Sequence, residues 1–118
     1  MNLKEVHVWA ATSGDFDPGK LEELSLALVQ EAVRREDIVA QIIKHAYEHG
    51  LPIEFSSLAI PSANSHDELE TISNQMIYSS FGPDIARVAS KQSLRGKDDK
   101  RYPILIWFIF VPKDGTSS

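Results

Sequence analysis

Tyr102-Pro103-Ile104-Leu105-Ile106-Trp107-Phe108-Ile109-Phe110-Val111 is the stretch on which the fold turns. Residues 104–111 are apolar without interruption, and most are β-branched or aromatic, which suits extended backbone. Successive strand side chains point to opposite faces. Ile104, Ile106, Phe108 and Phe110 then share one face, and Leu105, Trp107, Ile109 and Val111 the other. Neither face is polar, so both need cover, and strand 103–111 is predicted to be the central strand of a sheet. The run is far short of the roughly 20 residues a membrane-spanning helix needs, so no membrane is expected.

The most uneven charge in the chain lies immediately before this strand. Arg87, Lys91, Arg95, Lys97, Lys100 and Arg101 stand against only Asp98 and Asp99, a net +4 within a chain of formal net charge −5. Ile85, Val88 and Ala89, leading to Leu94, predict a short helix that follows the Gly82-Pro83 break and closes at Gly96. On that helix Arg87, Lys91 and Arg95, spaced by four, form one basic stripe, extended by Lys97, Lys100 and Arg101 in the loop. The patch reads in two ways. It is an anion- or partner-binding site, for a small anionic ligand, a nucleotide or an acidic protein, or it is a solvated face whose charge keeps the next strand from aggregating. The acidic remainder disfavours nucleic acid, and Tyr102, at the patch's edge, gives no stacking platform. No Gly-rich phosphate loop is present, and no cofactor is expected.

Further outward, Ser65-His66-Asp67-Glu68 fits a capping box and opens a helix through Leu69, Ile72, Met76 and Ile77 to Phe81. Ile53 to Ile60 reads as a strand whose two serines and glutamate suit a sheet edge. Leu21, Leu24, Leu28, Ala32, Val39, Ile42, Ile43 and Ala46 keep one helical phase, which predicts a long amphipathic helix from about residue 20 to His49. It is expected to be continuous or kinked; the alternative is a break at Arg34-Arg35-Glu36-Asp37, with Asp37 capping a second helix. Asp17-Pro18 supplies its start. Leu3 to Thr12 reads as a strand with Val6, Val8 and Ala10 on one face and His7 and Trp9 on the other. His7 and Trp9 are pocket candidates on the sheet. The fold class is therefore α+β (mixed α/β), with about three strands, one long helix and two shorter ones. The chain reads as a single domain, 1–118, with a polar tail at 112–118.

Three short motifs invite chemistry. His45-Ala46-Tyr47-Glu48-His49 resembles the H-x-x-E-H pattern of the inverzincin metalloproteases over five residues. The resemblance implies zinc on His45 and His49 with Glu48 activating water. That family also needs a further acidic ligand on a downstream helix, whereas Gly50 ends the helix here. Histidines near a helix carboxyl end suit its dipole, and no metal is expected. His66-Asp67 resembles the HD dipeptide of metal phosphohydrolases in two residues and is better explained by the capping box. Asp15 and Asp17 lack the remaining positions of a calcium loop and read as a turn and a helix cap.

The chain has 118 residues, 42% hydrophobic and 25% charged, an ordinary globular balance. Cysteine is absent, which excludes disulfides, thiolate metal sites and cysteine nucleophiles. Met1 to Glu5 is charged early and does not read as a signal peptide, so a cytoplasmic location is the default expectation. No catalytic constellation can be nominated. The sequence favours a non-enzymatic binding or regulatory module acting as a homo-oligomer, a dimer first of all. The alternative is a small-molecule or nucleotide-binding protein, or an enzyme acting on such a ligand, using the 87–101 patch.

Overall fold

The computed structural model describes residues 2–13, 18–95 and 99–113. The order is β1 (Leu3–Thr12), α1 (Pro18–Arg35), α2 (Asp37–Glu48), β2 (Ile53–Ala59), α3 (His66–Phe81), β3 (Ala86–Arg95) and β4 (Arg101–Pro112). The chain is α+β, with a mixed four-stranded sheet ordered β2-β1-β4-β3. β1 pairs parallel with β2 and antiparallel with β4, and β3 pairs antiparallel with β4. The twice-apolar strand is interior, as its composition demands, and β1 is interior beside it.

Its two faces are covered from within the chain. Ile104, Ile106, Phe108 and Phe110 join Val6, Val8 and Ala10 beneath Ala32 of α1 and Val39, Ile42 and Ala46 of α2. Leu105, Trp107 and Ile109 join Ala11 beneath Leu69 and Ile77 of α3. Residues 104–110 are all buried, with Ile106 and Phe108 at 0% exposure. At about 25 cal/mol per Å², such burial is the main favourable term in folding.

Three expectations need correction. First, the sheet has four strands, because residues 86–95, read as part of a short helix, form β3. The apolar spacing at Ile85, Val88 and Ala89 imitates a helix, but pairing with β4 fixes the segment as strand. A spacing of four keeps side chains together on either backbone, at about 40° around a helix or at zero offset on a strand, so the basic stripe could not discriminate. Second, the long helix is two helices. Glu36, at φ −110° and ψ 100°, is extended and interrupts it, and no side-chain cap bond forms there. The break lies in the Arg34–Asp37 segment, but Glu36 rather than Asp37 takes the cap position. Splitting lets both pieces fold back on one sheet face. Third, β4 reaches one residue into the expected polar tail at 112–118, since Pro112 closes the strand and the Lys113 N–H donates to the Asn2 carbonyl at 3.0 Å; residues 114–118 lie outside the described residues.

The capping box at α3 forms in part. The Glu68 N–H donates to Ser65 Oγ at 3.2 Å, while the Glu68 carboxylate accepts from the Asn64 N–H at 3.1 Å. Gly82 ends the helix at φ 91°, a left-handed conformation costly for other residues, and its N–H donates to the Tyr78 carbonyl at 2.9 Å. The Asp15–Asp17 loop, the Asp17 cap, Gly96 and Lys97 lie outside the described residues.

Candidate functional site

The sheet ends in β3, and hydrogen-bond parity shows what this border presents. In a strand, the N–H and C=O of one residue point to the same side and alternate with those of the next. The Val6 N–H donates to the Pro52 carbonyl at 3.0 Å and the Thr12 carbonyl accepts from Ile60 at 2.8 Å, so the even residues of β1 face β2. Its odd residues therefore face β4, where Trp9 stands opposite Trp107. The even residues of β4 then face β3, where Ile106 stands opposite Ser90. The outer edge of β3 is left with the main-chain groups of Arg87, Ala89, Lys91, Ser93 and Arg95. Their side chains share one face, the side on which α3 lies.

Arg87 is half-buried and held in place. Its Nε donates to Asn74 Oδ1 at 2.7 Å, and one terminal nitrogen donates to the Ile85 carbonyl at 2.9 Å. Beside it lies an open cleft of ≈ 510 Å³ lined by Asn74, Gln75, Tyr78, Ser79 and Arg87. Lys91 is exposed on the same face. Arg95 pairs with Asp99 at 3.3 Å, and Arg101 donates to Ser93 Oγ at 3.1 Å. β1 stops opposite Ile104, but β3 and β4 continue to the Arg95–Arg101 pair. The basic end of the hairpin therefore projects beyond its neighbour. Lys100 sits in the turn segment, engaged with neighbouring groups.

The other candidates are placed elsewhere. His7 and Trp9 lie on the α3 face of β1, but Phe81 caps both, with ring centroids 4.9 Å from His7 and 5.7 Å from Trp9. His7 Nε2 lies 3.2 Å from Glu5 Oε1, close but not aligned as a hydrogen bond, and Nδ1 lies 3.6 Å from Glu54 Oε2. These carboxylates approach opposite nitrogens and do not converge on one point. His45 and His49 stack at 4.1 Å on α2, and His49 Nδ1 is 2.9 Å from the His45 carbonyl oxygen. Desolvation first, and then the neighbouring His49, hold the His45 imidazole below its ordinary pKa. His66 Nε2 is 2.7 Å from the Gln92 carbonyl oxygen, so it ties α3 to β3. Among the described residues no group of three or more His, Asp or Glu is placed to hold a metal ion. Among them, too, no helix is long and apolar enough to cross a membrane.

Asn74, Gln75, Tyr78 and Ser79 were missed from the sequence. Their spacing of i, i+1, i+4, i+5 marks one polar face of α3, but what that face borders depends on β3 being a strand. No protein-family model, curated protein or solved structure matches the chain.

Proposed function

We propose that the chain is a non-catalytic binding module that captures an anionic partner on the basic border of its sheet. One observation carries this reading: Arg87, Lys91 and Arg95 emerge together on one face of an edge strand, beside an open cleft that Asn74, Gln75, Tyr78 and Ser79 line. Arg87 is already oriented by Asn74 and the Ile85 carbonyl, so less side-chain entropy is lost when a ligand arrives. Acidic residues dominate the rest of the chain, which favours a compact anion or a narrow acidic segment over a long nucleic-acid track. The test is titration with polyglutamate and with inorganic pyrophosphate by calorimetry. Binding that weakens with salt and is lost in the Lys91→Glu, Arg95→Glu double variant supports the module. Unchanged binding in that variant removes the basic border from the account.

We also propose self-association as part of the same reading, by a route other than the one the sequence suggests. The two sequence features behind it are satisfied inside one chain: β4 is covered on both faces, and the long helix folds back. The opposite border offers a different route. By the same parity, the main-chain groups of Ile53, Phe55, Ser57 and Ala59 face away from β1. An antiparallel two-fold at Ser56 would set Ile53 against Ala59 and Glu54 against Leu58, with no like charges opposed. The dimer is thus proposed at β2, leaving β3 for the partner.

A further inference from the structure

We infer that the anionic partner is an extended acidic protein segment that adds to β3 as a fifth strand. This rests on the binding-module reading and names its partner. Among the described residues no strand pairs with the outer edge of β3, whose main-chain groups belong to Arg87, Ala89, Lys91, Ser93 and Arg95, the set that includes the basic stripe. A segment hydrogen-bonded to this edge would therefore have its own side chains directly beside the three cations. Strand addition draws affinity from the main chain and specificity from alternate side chains.

The spacing selects the partner's conformation. Residues four apart on a strand are about 13 Å apart, and acids at every fourth position of an extended segment repeat at the same distance. On a helix the same sequence spacing is only about 6 Å and drifts around the axis, so acids at every fourth position match the stripe in register only when the segment is extended. The cleft between α3 and β3 opens where the acid opposite Arg87 would lie, and Asn74, Gln75 and Ser79 supply polar groups there. On the other face the segment would meet half-buried Val88 and buried Ser90 and Gln92, which suits small β-branched residues. A second copy of this chain is a poor occupant. Any two-fold pairing brings two basic stripes edge to edge, and centred on Lys91 it opposes Lys91 to itself and Arg87 to Arg95, where like charges directly opposite destabilise a strand pair.

The experiment uses the full chain and a synthetic peptide with glutamate at every fourth position, threonine and valine between. Two N-methylated forms of it block one peptide edge each. Fluorescence anisotropy should show binding by the parent peptide and by one N-methylated form, with the other weakened at least about tenfold. Lys91→Glu should weaken the parent peptide by a similar factor, while Lys91→Gln should weaken it less. Hydrogen exchange at Arg87, Ala89 and Lys91 should slow on binding. Equal binding by both N-methylated forms would overturn strand addition while leaving the basic border as an anion site. Tighter binding of a single-stranded DNA oligonucleotide than of the peptide would overturn the choice of partner. Failure of peptide, polyglutamate and pyrophosphate alike would bring down the module reading itself.

Discussion

Trp107 donates its indole N–H to the Ser73 hydroxyl at 2.8 Å, across the interior between β4 and α3. Ser73 donates its own hydroxyl hydrogen bond to the Leu69 carbonyl, so both polar groups are satisfied in a buried place. Ser73→Ala leaves the Trp107 N–H buried without an acceptor, which costs about 1–3 kcal/mol. Urea unfolding should show that loss. A double-mutant cycle should then show Ser73→Ala costing less when Trp107→Phe has already removed the donor. Equal costs in both backgrounds would mean the bond contributes nothing of its own.

Ser25 is the contrasting case. It is also fully buried, on α1, but its hydroxyl finds no partner among the described residues. Ser25→Ala removes an unpaired polar group and improves helix propensity, so stability should hold or rise by up to about 1 kcal/mol. A midpoint that falls instead would show that the hydroxyl is bonded in solution.

Ile106 tests the central strand. It is 0% exposed and faces the α1 and α2 side of the sheet. Ile106→Asp buries an unpaired charge at a cost of several kcal/mol, against a total stability of roughly 5–15 kcal/mol for a domain. The variant should lose its native circular dichroism at ambient temperature, while Ile106→Val should cost only about 0.5–1.5 kcal/mol. A folded Ile106→Asp protein would refute the burial of this face.

The sequence carried most of this architecture and little of the surface proposed to bind a partner. β4 was legible because its eight apolar residues are nearly all β-branched or aromatic and the run is short, which favours a doubly covered strand over a buried helix, and β1 and α3 were legible from alternation and a capping serine. β3 was not. Val88, Ser90 and Gln92 turn inward without a continuous apolar face, so the strand is defined by its partner β4 rather than by its own pattern. The basic stripe was found with the wrong backbone beneath it, because its spacing of four fits both helix and strand. His7 and Trp9 were placed on the correct sheet face, but nothing local announced that Phe81, far along the chain, would cover them.

The His45–His49 pair predicts a pH effect. His45 is held below its ordinary pKa by desolvation and by His49, with Glu48 opposing. The unfolded chain then binds a proton at His45 more readily than the folded chain does. Stability is intact above the ordinary imidazole value of about 6.5 and is lost as pH falls through it towards the lowered folded value. His45→Gln removes this contribution. Thermal midpoints between about pH 7.5 and about pH 5 should fall less in His45→Gln than in the parent protein. Parallel curves would show that His45 does not contribute to acid sensitivity.

The dimer proposed at β2 makes a prediction that separates it from every other mode of association. The Ala59 main chain faces away from β1, and its side chain is exposed, so Ala59→Pro deletes an outward N–H without touching the ladder to β1. Proline's fixed φ near −65° lies at the border of the β region, so the local strain is small. An isologous pair at Ser56 would lose two hydrogen bonds, one from each copy. Light scattering at high micromolar concentration should give a dimer for the parent chain and a shift towards the 13.2 kDa monomer for the variant. The basic border should not matter here, so Lys91→Glu should leave the dimer unchanged. A parent chain that is monomeric under these conditions would end the proposal. A dimer insensitive to Ala59→Pro but broken by Lys91→Glu would move the interface to β3, and with it the surface assigned to the acidic partner.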